Sequence, residues 1–179
     1  MQWQIDPSHS LVEFSVKHMA ISTVRGRFSS FSASGATNDD GVPTALTMEI
    51  DAASIDTNNV QRDAHLRSPD FFDVASHATL TFRSTKVTGT RDDLTIAGDL
   101  TIRGVTKPIT LKGAIVTPVK DPWGNPRTSL EVSGALSRSA FGLTWNQALE
   151  FGGVLVSDEV KLTIEAEATA KETAAVAAA

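Results

Sequence analysis

His18 is the side chain in this sequence best placed to do chemistry. It follows Val12, Phe14 and Val16 at intervals of two, so on a strand it shares their apolar face and points inward. An inward imidazole can hydrogen-bond the polar end of a ligand, bind a metal or haem, or act as a base. It can equally be a core histidine satisfied by a backbone carbonyl. A metal would need companions, and His9, His65 and His77 are scattered through loop-like segments without the close spacing of a zinc site. No acid-rich loop suggests calcium. No metal and no cofactor is therefore expected. A serine hydrolase would need a strained nucleophile turn of the Gly-x-Ser-x-Gly kind, which the sequence lacks. Ser8-His9-Ser10 is dyad-like only in order, because neighbours on a strand point to opposite faces.

Ser137-Arg138-Ser139-Ala140-Phe141-Gly142 follows a strand signal and holds an arginine in a compact turn. Arg138 can meet an anionic head group there, or it can be a structural arginine paired with a surface carboxylate. The paired acids Asp39-Asp40 and Asp92-Asp93 sit in turn-like stretches, where aspartate bonds its own backbone. Thr23-Val24-Arg25-Gly26-Arg27-Phe28 is no phosphate loop, since no helix follows it. No catalytic residue set emerges.

The elements that must position these residues are strands. Leu46, Met48 and Ile50 alternate with Thr47, Glu49 and Asp51; Leu80 and Phe82 alternate with Thr79, Thr81 and Arg83. Leu100 and Ile102, and Val160, Leu162, Ile164 and Ala166, repeat the pattern. Period two from end to end indicates an antiparallel sheet with one dry face. Strands are expected at 11–18, 24–35, 45–51, 78–87, 94–103, 109–116, 129–136 and 160–168. Hairpin turns are expected at 38–41 and 89–93, a joint at Gly104 to Pro108, and a longer loop from Pro118 to Pro126.

Asn58 to Ser68 breaks the pattern. Val60, Ala64 and Leu66 have helical spacing, Asp56 or Thr57 can cap the segment, and Pro69 stops it. This short helix, followed by Phe71-Phe72, can close one end of a barrel. About eight strands and one dry face suit a sandwich or a closed barrel. Gly26, Gly98, Gly113 and Gly134 fall inside strands, where bends and bulges are needed, which favours the barrel. Residues 1–170 then form one domain, and 171–179 an alanine-rich tail expected to fray.

Composition narrows the function. The chain has 179 residues and a net charge of −5, and no basic stripe to meet a nucleic acid. It contains no cysteine and no tyrosine, which removes disulfides, thiolate chemistry and phenolic acids. No run of about twenty apolar residues spans a membrane and no secretory signal opens the chain, so a cytoplasmic protein is expected as written. A chain trimmed of an export signal would read the same, with a periplasmic location as the alternative.

Several blocks together are similar to the YceI-like family of lipid- or polyisoprenoid-binding barrels. They are Asp6 to Phe14 with Val16-Lys17-His18, Val24 to Phe28, and Ile50-Asp51 with Ser54 to Thr57. They continue with Asp63 to Asp73, Gly98 to Pro108, and the late turn Arg138-Ser139-Ala140-Phe141-Gly142. The resemblance implies an all-β, lipocalin-like antiparallel barrel around an elongated apolar cavity. It also implies a bound isoprenoid chain, quinone or similar lipid, and a homodimer.

A non-catalytic carrier or sequestering protein is therefore expected. Val16, His18, Met48, Ile50, Phe82, Leu100, Ile102 and Phe141 should line the cavity, with Phe71, Phe72 or Trp145 near an end. Phe14, Met19 and Phe28 join the wall if the barrel is too wide for them to fill, and Arg138 belongs at the mouth or braces the turn that closes it. The rivals are an enzyme acting on an apolar substrate with His18 as acid or base, and a protein-interaction module using exposed strand edges.

Overall fold

The computed structural model describes residues 1–150 and 152–170. Twelve strands form one antiparallel sheet. They are β1 (Gln2–Ile5), β2 (Leu11–His18), β3 (Ser22–Phe28), β4 (Phe31–Thr37), β5 (Pro43–Asp51) and β6 (Ile55–Asp56). β7 (Thr79–Thr90), β8 (Asp93–Ile102), β9 (Val105–Ile115), β10 (Val119–Lys120), β11 (Pro126–Ser137) and β12 (Val156–Ala170) follow. β1 runs on into β2, β3 into β4 and β5 into β6, so the twelve make eight staves, with β10 a short hairpin arm on β11.

The sheet closes because β12 serves both ends of the chain. Its one edge pairs with β11 from Ser137↔Glu159 to Arg127↔Thr169, and its other edge takes β2 and then β1. Closure excludes the sandwich: one sheet curls on itself and its dry face becomes the lumen. The expected alternation sets the register. Met48 faces Phe82, Ile50 faces Leu80, and Phe82 faces Leu100 across the ladders. Leu94, Ile96, Leu100 and Ile102 are buried along β8 while Asp99 is exposed.

Several boundaries differ from the sequence reading, each for a local reason. The stretch 24–35 is two strands, because Ser29 donates to the Ser54 carbonyl and Asp51 to the Ser30 carbonyl, which breaks the ladder at Ser29-Ser30. β1 is too short to show periodicity, yet it places Trp3 and Ile5 inside. The β8–β9 turn is Arg103-Gly104, both at positive φ (51° and 72°), and Pro108 already lies within β9, opposite Asp99. The helix α1 (Val60–Arg67) is capped by Asn59, whose side chain accepts from the Arg62 amide, and not by Asp56 or Thr57. Thr57 instead donates its hydroxyl to the buried Asp63 at 2.5 Å. The tail 171–179 lies outside the described residues. Among the described residues no helix is long and apolar enough to cross a membrane.

The two ends of the barrel are finished differently. At one end Leu66 of α1, Phe71, Phe72, Phe141 and Leu143 close over the core. At the other, the strand termini are tied by Arg127, which donates to Asp6 (3.0 Å), Glu167 (2.5 Å) and Asp121 (3.2 Å). Hydrogen bonds from Ser8, His9 and Arg127 hold the Asp6 carboxyl far below the usual carboxylate range. The Asn125 amide and side chain, with Arg127, lower Asp121 against an opposing desolvation cost. A carboxyl whose folded pKa is depressed stabilises the fold above its unfolded pKa and loses that contribution as pH falls. The melting temperature should therefore be flat from about pH 5 to 8 and fall below about pH 4. Asp6→Asn should flatten part of that acid limb; an unchanged limb would contradict the role given to Asp6.

Candidate apolar ligand cavity

The lumen is not filled. A cavity of about 230 Å³ runs along the barrel. For scale, an engineered apolar cavity of about 150 Å³ in another protein stays dry and takes up benzene. The wall begins at the terminus-bearing end with Trp3, Pro43, Ile115 and Ala168. It passes Ile96, Leu111, Val132 and Leu162, and reaches Phe71, Phe72, Phe141 and Leu143 at the closed end.

Polar groups at the wall are already engaged. Trp3 Nε1 donates to Thr37 Oγ1 at 3.0 Å, and Thr128 Oγ1 donates to the Val116 carbonyl at 2.6 Å. Among the described residues no buried side-chain nitrogen or oxygen lacks a partner. An apolar occupant would leave no donor or acceptor stranded, which is the condition for dry binding.

Of the residues expected at the site, Phe14, Val16, Phe28, Met48 and Ile50 line this cavity. So do Phe71, Phe72, Phe82, Leu100 and Ile102, with Phe141 and Arg138 at the closed end. His18, Met19 and Trp145 are not in the wall. His18 shares the face of Phe14 and Val16, but it is the last residue of β2 and stands half-buried at the rim. Met19 follows it into the turn at φ 54° and is exposed. Trp145 packs behind the wall, its ring 5.4 Å from Phe71 and 4.7 Å from the edge-on His65 ring. The sequence reading missed Trp3 and Ile5, whose strand is too short to show a period, and Leu143, which lies in irregular chain.

Arg138 is engaged with the main chain and makes no ion pair with a surface carboxylate among the described residues. It is buried, and its guanidinium donates to the carbonyls of Leu143 (2.6 Å), Trp145 (2.9 Å), Ser157 (2.9 Å) and Val156 (3.3 Å). Burial pushes its pKa down and Asp158 pulls it back. Asp158 accepts from Ser137 Oγ at 2.5 Å and from the Ser139 amide at 2.9 Å, and those bonds lower its own pKa. Arg138 thus braces Leu143 and Trp145 against Val156 and Ser157 at the barrel end.

Ser8 and His9 do meet, contrary to the expected divergence, because Pro7–His9 is a 3-10 turn and not a strand. Ser8 Oγ lies 3.2 Å from His9 Nδ1, and Asp6 Oδ2 lies 3.1 Å from the same nitrogen. Serine and aspartate on one nitrogen cannot form a relay through the imidazole, which needs both. Asp6, His9 and Glu167 are also the one group of three potential metal ligands among the described residues. Arg127 already bridges Asp6 and Glu167, so a cation holds that position.

Comparisons with known proteins agree with this geometry. The profile of the YceI-like domain matches residues 3–168. A UPF0312 protein of Pseudomonas aeruginosa (strain LESB58) is 39% identical over 161 residues, covering 89% of this chain and 81% of its own. The crystal structure of the Campylobacter jejuni YCEI protein superposes with a TM-score of 0.75 at 32% identity, covering 87% of this chain and 90% of that one. A polyisoprenoid-binding domain from Saccharophagus degradans, implicated in plant cell wall breakdown, shares the fold at a TM-score of 0.68 and 15% identity. It covers 94% of this chain and 98% of that one. The chain belongs to the YceI-like domain family.

Proposed function

From that membership we propose that the barrel binds one long apolar chain, of the polyisoprenoid or isoprenoid-quinone kind, as a carrier or sequestering protein and not as an enzyme. The observation that carries the reading is the continuous apolar wall from Trp3 to Phe141, with its buried polar atoms already partnered. Such a wall recognises a hydrocarbon by burial alone. At about 0.8 kcal/mol per methylene, ten buried methylenes supply about 8 kcal/mol, enough for micromolar binding before ordering costs. The polyisoprenoid-binding relative of the same fold supports the ligand class.

The enzyme reading needs an acid or base on the chain. His18 stands outside the wall, and the Arg138 donors are committed to four carbonyls. Glu13 borders the cavity but occupies the strand face opposite Val12 and Phe14. The edge-pairing module loses support as well, because each of the eight staves has a paired neighbour on both sides over part of its length.

Titration with the fluorescent polyene cis-parinaric acid tests the reading. Saturable uptake, displaced by a long prenol, is expected. His18→Ala should leave that affinity within about twofold, since the ring is not in the wall; a tenfold loss would return His18 to the site.

A further inference from the structure

We infer that Gly26 sets the bore of the lumen by letting the Phe14 ring lie flat against the wall, and so decides whether a methyl-branched chain can pass. This rests on the apolar-chain reading above. Phe14 and Gly26 are direct cross-strand partners in β2 and β3, and Gly26 is buried. A Cβ on Gly26 would fall on the Phe14 ring itself and 2.8 Å from the Thr57 methyl. Glycine in a strand interior often marks such a close approach, and an aromatic ring laid over it shields the bare backbone.

The same device recurs on another wall. A Cβ on Gly98 in β8 would fall on the Phe82 ring, and Phe82 also lines the lumen. The two positions differ in how cleanly they can be altered. The neighbours crowding Gly26 are all side-chain atoms, whereas Gly98 also faces the Arg83 carbonyl oxygen at 2.6 Å. Neither glycine has a positive φ, so alanine is conformationally acceptable at both. At Gly26 the added methyl must therefore displace a ring and not the backbone.

On its Phe28 side the Phe14 ring is already packed. Its ring lies 5.8 Å from Phe28, which in turn meets Phe72 edge-on at 5.9 Å. The lumen, which Phe14 lines, is open space beside the ring. A ring pushed inward narrows the bore locally. An unbranched alkyl chain can still thread such a constriction. An isoprenoid carries a methyl on every fourth carbon and is wider at each, so it is rejected first.

The test compares wild type, Gly26→Ala and the double variant Gly26→Ala/Phe14→Leu. Bound cis-parinaric acid is displaced by a methyl-branched prenol and by a straight-chain alcohol of equal carbon number. Gly26→Ala is expected to lose at least tenfold in prenol affinity and less than threefold for the straight alcohol. Phe14→Leu should restore prenol binding in the double variant by making room for the added methyl, and the straight-chain alcohol controls for a merely structural lesion, which would weaken both competitors alike. A crystal structure of Gly26→Ala should show the Phe14 ring turned into the lumen whether or not a chain is bound. Equal losses for both competitors, no rescue, or a ring still on the wall would overturn the inference. Wild type that takes up no chain at all would instead overturn the apolar-chain reading, so the two failures are distinguishable.

Discussion

Arg138→Ala should destabilise the protein by about 4 kcal/mol, the range expected when a buried charge network loses one partner. Four main-chain carbonyls, those of Leu143, Trp145, Val156 and Ser157, lose a charged donor together, although that of Val156 keeps Asn146 Nδ2 at 2.7 Å. A bond from a charged donor contributes about 1.5–3 kcal/mol, but the four share one side chain and will not add. For a chain of this length about 4 kcal/mol lowers the melting temperature by roughly 10 °C. Arg138→Lys should recover less than half of the loss, because an ammonium cannot fork to the carbonyls of Leu143 and Trp145 and those of Val156 and Ser157 together. Thermal melts of both variants decide this. A drop under 2 °C in the alanine variant would show that Arg138 does not brace this end of the barrel.

Ile102→Asp should abolish retention of an apolar chain and leave the fold barely stable at neutral pH. Ile102 is buried, lines the lumen and packs in the main core cluster. A carboxylate there has no partner, so burial would raise its pKa. Buried acids reach about 8–9 elsewhere, or roughly 4–5 units above normal, and each unit corresponds to about 1.4 kcal/mol. The sign follows from linkage. A folded pKa raised above the unfolded value leaves the protein least impaired below about pH 4, and the penalty grows as pH rises toward the folded pKa. The wild type has the opposite acid limb, from Asp6 and Asp121. Urea melts should therefore show the variant less stable at about pH 8 than at about pH 5, an interval over which wild type is flat. Equal stability at both, with lipid still bound, would mean that position 102 does not face a dry lumen.

How much of this was legible follows from what each segment buries. Leu46, Met48 and Ile50, or Leu100 and Ile102, bury one face of a long strand, so period two marks both the strand and its inward residues. The same pattern carried the wall residues Phe14, Val16, Phe28 and Phe82. It misled at His18, because alternation gives the face of a side chain but not its height along the barrel. Trp3 and Ile5 stayed hidden because two inward residues make no period, and Leu143 because irregular chain has none. The role of Arg138 was not legible, since its four acceptors are main-chain atoms that any sequence would supply. Ser8 and His9 were misjudged because Pro7, with Asp6 accepting from the Ser8 amide, converts an expected strand into a turn.

The central claim is that the lumen holds a long apolar chain, and the most direct measurement is mass spectrometry of an organic extract of the natively purified protein. The expected result is a long-chain isoprenoid or similar lipid, in near-stoichiometric amount, lost from the Ile102→Asp extract. An extract with no apolar chain above the level of the Ile102→Asp control would contradict the claim.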